Sequence, residues 1–310
     1  MTTSGEFRYL DPASISPGTK PWTKVDGAYA SFGLAPRRRS VANIRDSIQP
    51  DQPAQGHFGT DIDVSGFAVY HAPAQEKAFT DDAAVRNGYY AEVEALLRSK
   101  LPGIARVEIF DHTIRKHDPT SPRQPVQQVH VDQTPAAAEA RVRRHLPAAD
   151  VDGLLKRRFQ IINVWRPISH PATDFPLAVV DWRTTKLEDL SPVDLLYPLR
   201  NRTIGDDNDD RGKEALPDLT NPASTEGYEV KGETYGVLPS DTHKFYYVKD
   251  MTPEEVMFIK CFDSRSEWRP GGRKGVAALT PHTAFIDPAT PAGTKGRESI
   301  EVRCLVFYDE

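Results

Sequence analysis

The sequence predicts a mainly β fold, an antiparallel double-sheet jelly roll with flanking helices. Short runs rich in Val, Ile, Phe and Tyr recur along the chain. The 26 prolines and 20 glycines separate these runs, as turns separate short strands. Helical periodicity is confined to the part before residue 160, without the regular strand–helix alternation of a doubly wound fold. Together these three observations favour a jelly roll over an α/β architecture.

Two helices and nine strands are predicted in chain order. Residues 81–101 carry an apolar stripe at helical spacing, with Asp81 or Asp82 as the N-terminal cap. Thr134 can cap a second helix that begins at Pro135, a residue favoured in the first turn. The predicted strands are residues 105–115, 126–131, 159–167, 176–182, 233–238, 243–248, 255–262, 282–287 and 299–308.

The domain organisation predicted from these patterns is simple. Residues 1–60 are rich in Pro, Ser, Arg and Gln with weak periodicity, which indicates an extended N-terminal arm packed on the body. Residues 61–310 are expected to form one domain, interrupted by a long polar loop insertion at 200–227.

Composition excludes several classes of function. With 39 basic and 44 acidic residues the formal net charge is −5, so neither nucleic acid nor an acidic membrane surface is an expected partner. The N-terminal residues lack the apolar segment of a signal peptide, and no apolar run approaches membrane-spanning length. Only two cysteines are present, Cys261 and Cys304, which predicts reduced thiols in a cytoplasmic protein. The sequence gives no indication of oligomeric state.

The stretch QVHVDQT at residues 128–134 contains the first candidate site. Because side chains alternate along a strand, His130 and Asp132 are expected to project from the same face. An imidazole and a carboxylate so placed supply two ligands of the 2-His-1-carboxylate triad that holds non-haem Fe(II) with open positions. The H-x-D spacing alone is weak evidence, because such pairs also occur by chance.

The remaining parts of such a site are found near the C-terminus. His282, which opens a predicted strand, is the best candidate for the third ligand. Arg297 and Ser299 share one strand face, and an arginine beside a hydroxyl is suited to binding a carboxylate. Arg303 lies on the same face, so either arginine can serve, and Glu301 between them can hold one of them in a salt bridge.

Four further residues are weaker candidates for substrate contacts. Asn163 and Trp165 are expected on one face of the strand at 159–167, and Arg166 on the other. Arg166 can bind a substrate carboxylate or form a surface ion pair. His243 can line the cavity, although a structural histidine with satisfied hydrogen bonds is the commoner case.

At these residues the sequence resembles a known family, the hydroxylase/desaturase family of fungal and bacterial secondary metabolism. That family includes gibberellin desaturase and a protein of cephamycin 7α-methoxylation. The matching phrases are RVEIFDHTIR (106–115), VHVDQT (129–134), INVWRPI (162–168), PLAVVDWRT (176–184), DMTPEEVMFIKCFDS (250–264), PHTAFIDP (281–288) and RESIEVR (297–303).

The resemblance implies a fold, an activity and a site. The fold is a double-stranded β-helix, a cupin-like jelly roll, and the cofactors are Fe(II), 2-oxoglutarate and O2. His130, Asp132 and His282 would bind the iron, and Ser299 with Arg297 or Arg303 would bind 2-oxoglutarate. The implied activity is oxidation of an unactivated C–H bond in a small metabolite or amino acid by hydroxylation, desaturation or oxidative cyclisation.

Two other functions fit the same residues. A non-haem iron oxidase without 2-oxoglutarate would use the arginine and serine to bind the carboxylate of its own substrate. A non-catalytic jelly-roll binding protein would carry a vestigial or zinc-filled site. Formation of succinate that depends on the primary substrate distinguishes the first function from the oxidase, and Fe(II) binding distinguishes the enzymes from the binding protein.

Overall fold

The computed structural model describes residues 2–25, 29–47, 58–77, 79–121, 123–199, 221 and 223–309, and contains two β-sheets with helices packed around them. The strands are β1 Thr2–Leu10, β2 Trp22–Lys24, β3 Leu34–Asn43, β4 Phe67–His71, β5 Ile104–Lys116, β6 His130–Val131, β7 Phe159–Pro167, β8 Leu177–Val180, β9 Leu190–Pro198, β10 Tyr228–Val237, β11 Phe245–Tyr247, β12 Glu255–Asp263, β13 His282–Ala284 and β14 Glu298–Tyr308. The α-helices are α1 Ile62–Ser65, α2 Asp82–Ala84, α3 Tyr90–Lys100, α4 Pro135–His145 and α5 Ala148–Leu155.

The two sheets have different sizes and a mainly antiparallel pairing. The larger has the strand order β1-β3-β11-β8-β13-β6-β10-β9-β2, and the smaller has the order β4-β12-β7-β14-β5. Apolar side chains from both sheets meet in one cluster, which includes Phe67 and Met257 of the smaller sheet and Val179 of the larger. The core of a double-sheet jelly roll therefore lies between them, as predicted.

Both predicted helices are present, with the expected caps. The Asp81 carboxylate accepts a hydrogen bond from the Ala83 amide at 2.9 Å, and a π-helical turn at Val85–Tyr89 joins α2 to α3. The Thr134 hydroxyl accepts from the Ala137 amide at 3.2 Å at the start of α4. Each cap satisfies a backbone donor that the first helical turn leaves without a partner.

After the N-terminal segment, the strands differ from the predictions in several places, and β4 was not predicted. The segment 126–131 forms regular ladder pairing only at its end, in β6. Strand β10 begins earlier than predicted, and β9 was missed because its two prolines, Pro192 and Pro198, lower the apparent strand propensity. Of the predicted loop insertion, residues 200–220 and 222 lie outside the described residues.

The N-terminal segment contributes β-structure that its composition did not predict. Strands β1 and β3 form a long antiparallel ribbon, and β3 joins the larger sheet by parallel pairing with β11. The sheet then curls back, since Arg8 in β1 bridges Gln128 just before β6. The expected extended arm is thus paired into the sheet, and it covers the face that carries Val129 and Val131. The division of the chain at residue 60 stays a prediction.

An ion cluster with a fully buried Lys260–Asp263 pair joins α1 to the smaller sheet. The Lys260 ammonium donates to Asp263 at 2.8 Å and to Asp63 at 2.6 Å. The Arg158 guanidinium donates to the same two carboxylates, at 2.7 Å each. Because two cations face two anions and all four are hydrogen-bonded, the cluster offsets the desolvation of its charges.

Two other expectations concern the environment of the protein. Cys261 and Cys304 are both buried free thiols, as predicted. In the described part of the chain no helix is long and apolar enough to cross a membrane. The cytoplasmic location stays a prediction.

Candidate metal centre

Strand pairing in the larger sheet brings the two predicted histidines together. His282 in β13 is the direct antiparallel partner of His130 in β6, and their ring centroids are 4.5 Å apart. Asp132 follows β6 immediately. One potential ligand atom from each of the three residues lies within 4.8 Å of the other two. The structure therefore assembles a two-histidine, one-carboxylate group suited to a divalent metal.

Both imidazoles are oriented by backbone carbonyls. The Nδ1 atom of His130 lies 2.8 Å from the Gln128 oxygen, and Nδ1 of His282 lies 3.0 Å from the Thr280 oxygen. A carbonyl oxygen can only accept, so each Nδ1 carries a proton and each Nε2 faces the group, where the neutral ring can offer its lone pair to a metal. This tautomer, fixed by an outer hydrogen bond, is the one that metal-binding histidines use.

The Asp132 carboxylate divides its two oxygens between different partners. Its Oδ1 faces the imidazoles, 3.3 Å from His130 Nε2 and 3.9 Å from His282 Nε2. Its Oδ2 accepts from Asn163 Nδ2 at 2.7 Å and from Arg303 Nε at 3.2 Å. Two donors therefore fix the carboxylate so that one oxygen is directed at the candidate metal position.

The charge states of the group follow from its surroundings. Burial alone would raise the pKa of Asp132, but the His130 hydrogen bond and the Arg303 charge outweigh it and hold that pKa well below its usual range. Burial, together with nearby His130, lowers the pKa of His282. Burial alone would also lower the pKa of His130, but its hydrogen bond to Asp132 and the charge of that carboxylate outweigh burial and raise it. An ionised carboxylate beside a neutral imidazole is the state in which these side chains bind metal.

Arg303 is fully engaged with protein groups. Besides its bond to Asp132, its Nη1 donates to Asp111 at 3.1 Å and to Thr113 at 3.0 Å, while its Nη2 donates to Glu301 at 2.7 Å. Burial lowers the pKa of Arg303, but the three neighbouring carboxylates outweigh burial and raise it. The suggested salt bridge of Glu301 to one of the two arginines is therefore to Arg303.

Arg297 has the opposite environment. It is 3% exposed, its Nη1 donates to the Phe175 carbonyl oxygen at 2.7 Å, and its buried Nε has no hydrogen-bond partner. Its guanidinium lies 5.6 Å from the centroid of the Trp165 ring. Burial and the nearby charge of Arg115 lower the pKa of Arg297 to about 9. An unpaired buried donor on a cation is costly unless an anion binds there.

These groups line one cleft, which encloses about 450 Å³ when the open space at its mouth is included. Ser299, 1% exposed, also lines it. The lining residues are Thr113, Arg115, Val126, His130, Asp132, Trp165, Leu177, His282, Thr283, Ala284, Arg297, Ser299, Glu301 and Arg303.

Of the four weaker substrate candidates, the structure brings two to the site. Trp165 lines the cleft and forms part of its apolar wall with Leu177. Asn163 lies on the same strand face as Trp165, as predicted, but its amide donates to Asp132, so it supports the candidate metal ligand.

The other two candidates, Arg166 and His243, do not line the cleft, which corrects the suggested cavity position of each and leaves His243 in the structural role named as the commoner case. Arg166 lies on the opposite face of β7, where its Nε donates to the Tyr89 hydroxyl at 2.8 Å and its Nη1 to the Pro253 oxygen at 2.9 Å. It is buried, so it forms no surface ion pair either. His243 is a structural histidine, 3.2 Å from both the Tyr9 hydroxyl and an Asp189 oxygen.

Strand β5 contributes two further residues to the cleft, Thr113 and Arg115, which were not predicted from the sequence. Strand β5 pairs with β14 so that Thr113 opposes Glu301 and Arg115 opposes Ser299. The alternation Asp111, Thr113, Arg115 within RVEIFDHTIR indicated one polar strand face. The sequence contained no information on which strand would pair with it.

Comparison with known proteins identifies the family. A family model described as "Oxidoreductase/YMDC permease-like domain" matches residues 35–307. The hydroxylase/desaturase poxK of Penicillium oxalicum is 31% identical over 308 residues, covering 97% of this chain and 86% of poxK. The chain belongs to this family of oxidoreductases. The predicted resemblance to the hydroxylase/desaturase enzymes of fungal secondary metabolism is thereby confirmed.

Two further comparisons concern one member of the family. The Fe(II)/2-oxoglutarate-dependent dioxygenase nvfI of Aspergillus novofumigatus is 35% identical over 231 residues, covering 73% of this chain and 69% of nvfI. A solved structure described as the iron and alpha-ketoglutarate-dependent endoperoxidase NvfI superimposes with a TM-score of 0.74 at 27% identity. It covers 100% of this chain and 99% of that chain. The likeness over the whole chain confirms the predicted jelly-roll core.

Proposed function

We propose that this oxidoreductase is an Fe(II)- and 2-oxoglutarate-dependent oxygenase that uses O2 to oxidise an unactivated C–H bond of a small metabolite or amino acid. One observation carries the proposal: a group of two imidazole Nε2 atoms and one carboxylate oxygen shares a cleft with a buried arginine that has no carboxylate partner. The names of poxK and nvfI support the same chemistry.

The donor set fits Fe(II). His130 Nε2, His282 Nε2 and Asp132 Oδ1 would hold the ion, and three protein ligands leave positions open for small molecules. When bound, Fe(II) supplies the reactivity towards O2 and a position for the 2-oxo acid end of 2-oxoglutarate. Asn163 and Arg303 keep the carboxylate oriented, and the two backbone carbonyls hold the Nδ1 protons.

The cleft also fits the far carboxylate of 2-oxoglutarate. Arg297 offers an unpaired Nε–H, and the Ser299 hydroxyl lies on the same strand face. Arg303 is unsuited to this role, since Asp132, Asp111 and Glu301 already neutralise its charge. Of the two arginines that the sequence left open, we therefore assign the carboxylate to Arg297.

The apolar side chains that line the cleft have a separate role. Trp165 and Leu177 are almost fully buried and border the space beside the candidate metal group. Apolar walls exclude water from the reacting carbon and strengthen the electrostatic contacts inside the cleft. Hydroxylation, desaturation and cyclisation all fall within the proposal, because they differ in how one C–H bond is positioned.

Arg297→Met is expected to raise the KM for 2-oxoglutarate by about 100-fold, because it removes a charge-assisted contact to one end of the co-substrate. At saturating co-substrate most of kcat should remain, since the candidate metal ligands are untouched. The measurement is succinate formation as a function of 2-oxoglutarate concentration. The KM of Arg297→Lys, which keeps the charge, should lie between those of Arg297→Met and the natural protein. An unchanged KM in Arg297→Met would contradict the assignment.

Asn163→Ala is expected to weaken Fe(II) binding by about 10- to 100-fold, the usual effect of removing a partner that orients a metal ligand. Arg303 still holds Asp132, so binding is weakened and not lost. Anaerobic Fe(II) titration measures the effect. His243→Gln is the matched control, because it disturbs buried hydrogen bonds outside the cleft and should leave Fe(II) affinity unchanged. Equal Fe(II) affinities in Asn163→Ala and His243→Gln would contradict the orienting role of Asn163.

The function itself is tested by following O2, 2-oxoglutarate and succinate together in the purified protein with Fe(II). The proposal requires 2-oxoglutarate to be converted to succinate as O2 is consumed. Screening carboxylate-bearing metabolites identifies the substrate as the compound that makes this conversion faster. O2 consumption and product formation without 2-oxoglutarate would instead identify the oxidase. Absence of Fe(II) binding would leave only the non-catalytic binding protein.

A further inference from the structure

A second arginine lies beside the proposed carboxylate site, and none of the roles assigned above uses it. Arg115 in β5 is the direct cross-strand partner of Ser299 in β14, and it lines the cleft. Its Nη1 donates to the Gln124 carbonyl oxygen at 3.1 Å. In the part of the chain that the structure describes, no carboxylate lies within ion-pair distance of Arg115 or Arg297.

The two guanidiniums are close enough to repel each other. Arg297 is diagonal to Arg115 across the β5–β14 pair, because Ser299 opposes Arg115 and Arg297 precedes Ser299 by one strand period. After burial, the charge of Arg115 is the main cause that lowers the pKa of Arg297. Two neighbouring cations that line a cleft are unfavourable unless an anion offsets their charge.

Arg303 provides the contrast within the same cleft. Three carboxylates surround it, so its charge is balanced by the protein itself. Arg115 and Arg297 have only backbone carbonyl partners, which satisfy donors without neutralising charge. Arg303 is therefore balanced by direct ion pairs, whereas the two arginines nearest Ser299 in the strand pairing have none in the described residues.

We propose that Arg115 and Arg297 together bind a single carboxylate, the far carboxylate of 2-oxoglutarate, with the Ser299 hydroxyl as a third donor. This inference rests on the proposed function and deepens it. A carboxylate has two oxygens with about four lone-pair directions, so it accepts from two guanidiniums and a hydroxyl at once. Arg115 is then a binding residue for the co-substrate and selects a dicarboxylic over a monocarboxylic 2-oxo acid.

The test compares two ligands that differ at one end. 2-Oxopentanoate has the same 2-oxo acid end as 2-oxoglutarate but a methyl group in place of the far carboxylate. Affinities are measured anaerobically by calorimetry, with Mn(II) in place of Fe(II), in the natural protein, Arg115→Met and Arg115→Lys. Lys116→Met is the matched control, because Lys116 lies on the other strand face in a half-exposed pair with Glu298.

Arg115→Met is expected to lower the affinity for 2-oxoglutarate by about tenfold or more, the effect of losing one charge-assisted contact. It should change the affinity for 2-oxopentanoate by less than about twofold, since that ligand has no group for Arg115 to bind. Arg115→Lys should lose less affinity for 2-oxoglutarate, and Lys116→Met should lose none. If Arg115→Met does not fold, the same comparison in Arg115→Lys decides, because a loss specific to 2-oxoglutarate is still required.

Two results would overturn the proposal. Equal weakening of both ligands would show that Arg115 acts on the metal end or on the fold, and unchanged affinity for both would show that it binds neither. Failure of the proposed function has a different signature, since the natural protein would then not distinguish 2-oxoglutarate from 2-oxopentanoate in the presence of Mn(II).

Discussion

Replacing Asp132 with alanine is expected to abolish turnover and to weaken Fe(II) binding by more than about 100-fold, beyond the loss seen when only an orienting partner is removed. Asp132 is the one negatively charged member of the candidate metal group, and its Oδ1 is directed at both imidazoles. Two neutral histidines that remain cannot neutralise a divalent cation in a buried cleft.

The fold should survive this substitution. Arg303 keeps its bonds to Asp111, Thr113 and Glu301, so the charge left behind is still paired. Anaerobic Fe(II) titration and succinate formation measure the functional loss, and thermal unfolding measures the fold. Asp241→Ala is the control, because that aspartate side chain is 97% exposed and remote from the cleft. Turnover retained in Asp132→Ala would rule out the proposed ligand set.

Replacing Asp263 with asparagine is expected to lower the free energy of unfolding by about 3–5 kcal/mol at pH 7, the typical cost of breaking a buried ion pair. The variant leaves Lys260 and Arg158, both nearly inaccessible to solvent, with Asp63 as their only carboxylate partner in the cluster. Urea unfolding measures the change. Asp309→Asn is the matched control, because its pair with Arg157 is exposed and contributes little.

The same cluster predicts the pH dependence of stability. Burial alone would raise the pKa of Asp263, but the charges of Lys260 and Arg158 outweigh it and lower that pKa. A carboxyl whose pKa is lower in the folded than in the unfolded protein stabilises the fold above its unfolded pKa, about 3.9, and loses this contribution as the pH falls towards the folded value. The difference in stability between the natural protein and Asp263→Asn should therefore be constant from pH 7 to about 5 and shrink below about 4. A difference that stays constant down to pH 3 would contradict this account.

Much of the fold and the core of the site could be predicted from local patterns. Alternation placed His130 and Asp132 on one face, and the same two-residue period aligned Arg297, Ser299 and Arg303. Thr134 and Asp81 were recognised as caps because the capping bond is formed within a few residues of chain. Each of these features depends on near neighbours in sequence.

What the sequence could not provide depends on pairing between distant strands. The choice between Arg297 and Arg303 depends on which carboxylates surround each one, and Asp111 and Asp132 come from other strands or loops. Arg166 was expected at the substrate or the surface, but the π-helical turn that supplies Tyr89 covers its face of the sheet. The N-terminal strands form in a segment of weak periodicity, since pairing with β11 stabilises them more than their own composition.

We propose that His130, Asp132 and His282 form an iron site that also takes 2-oxoglutarate. Anaerobic titration of the purified protein with Fe(II), followed by addition of 2-oxoglutarate, is the decisive experiment. We expect one Fe(II) per chain and a visible absorption band that appears only when 2-oxoglutarate is added and is missing in Asp132→Ala. Fe(II) binding that leaves the spectrum unchanged on addition of 2-oxoglutarate, or that persists in Asp132→Ala, would contradict it.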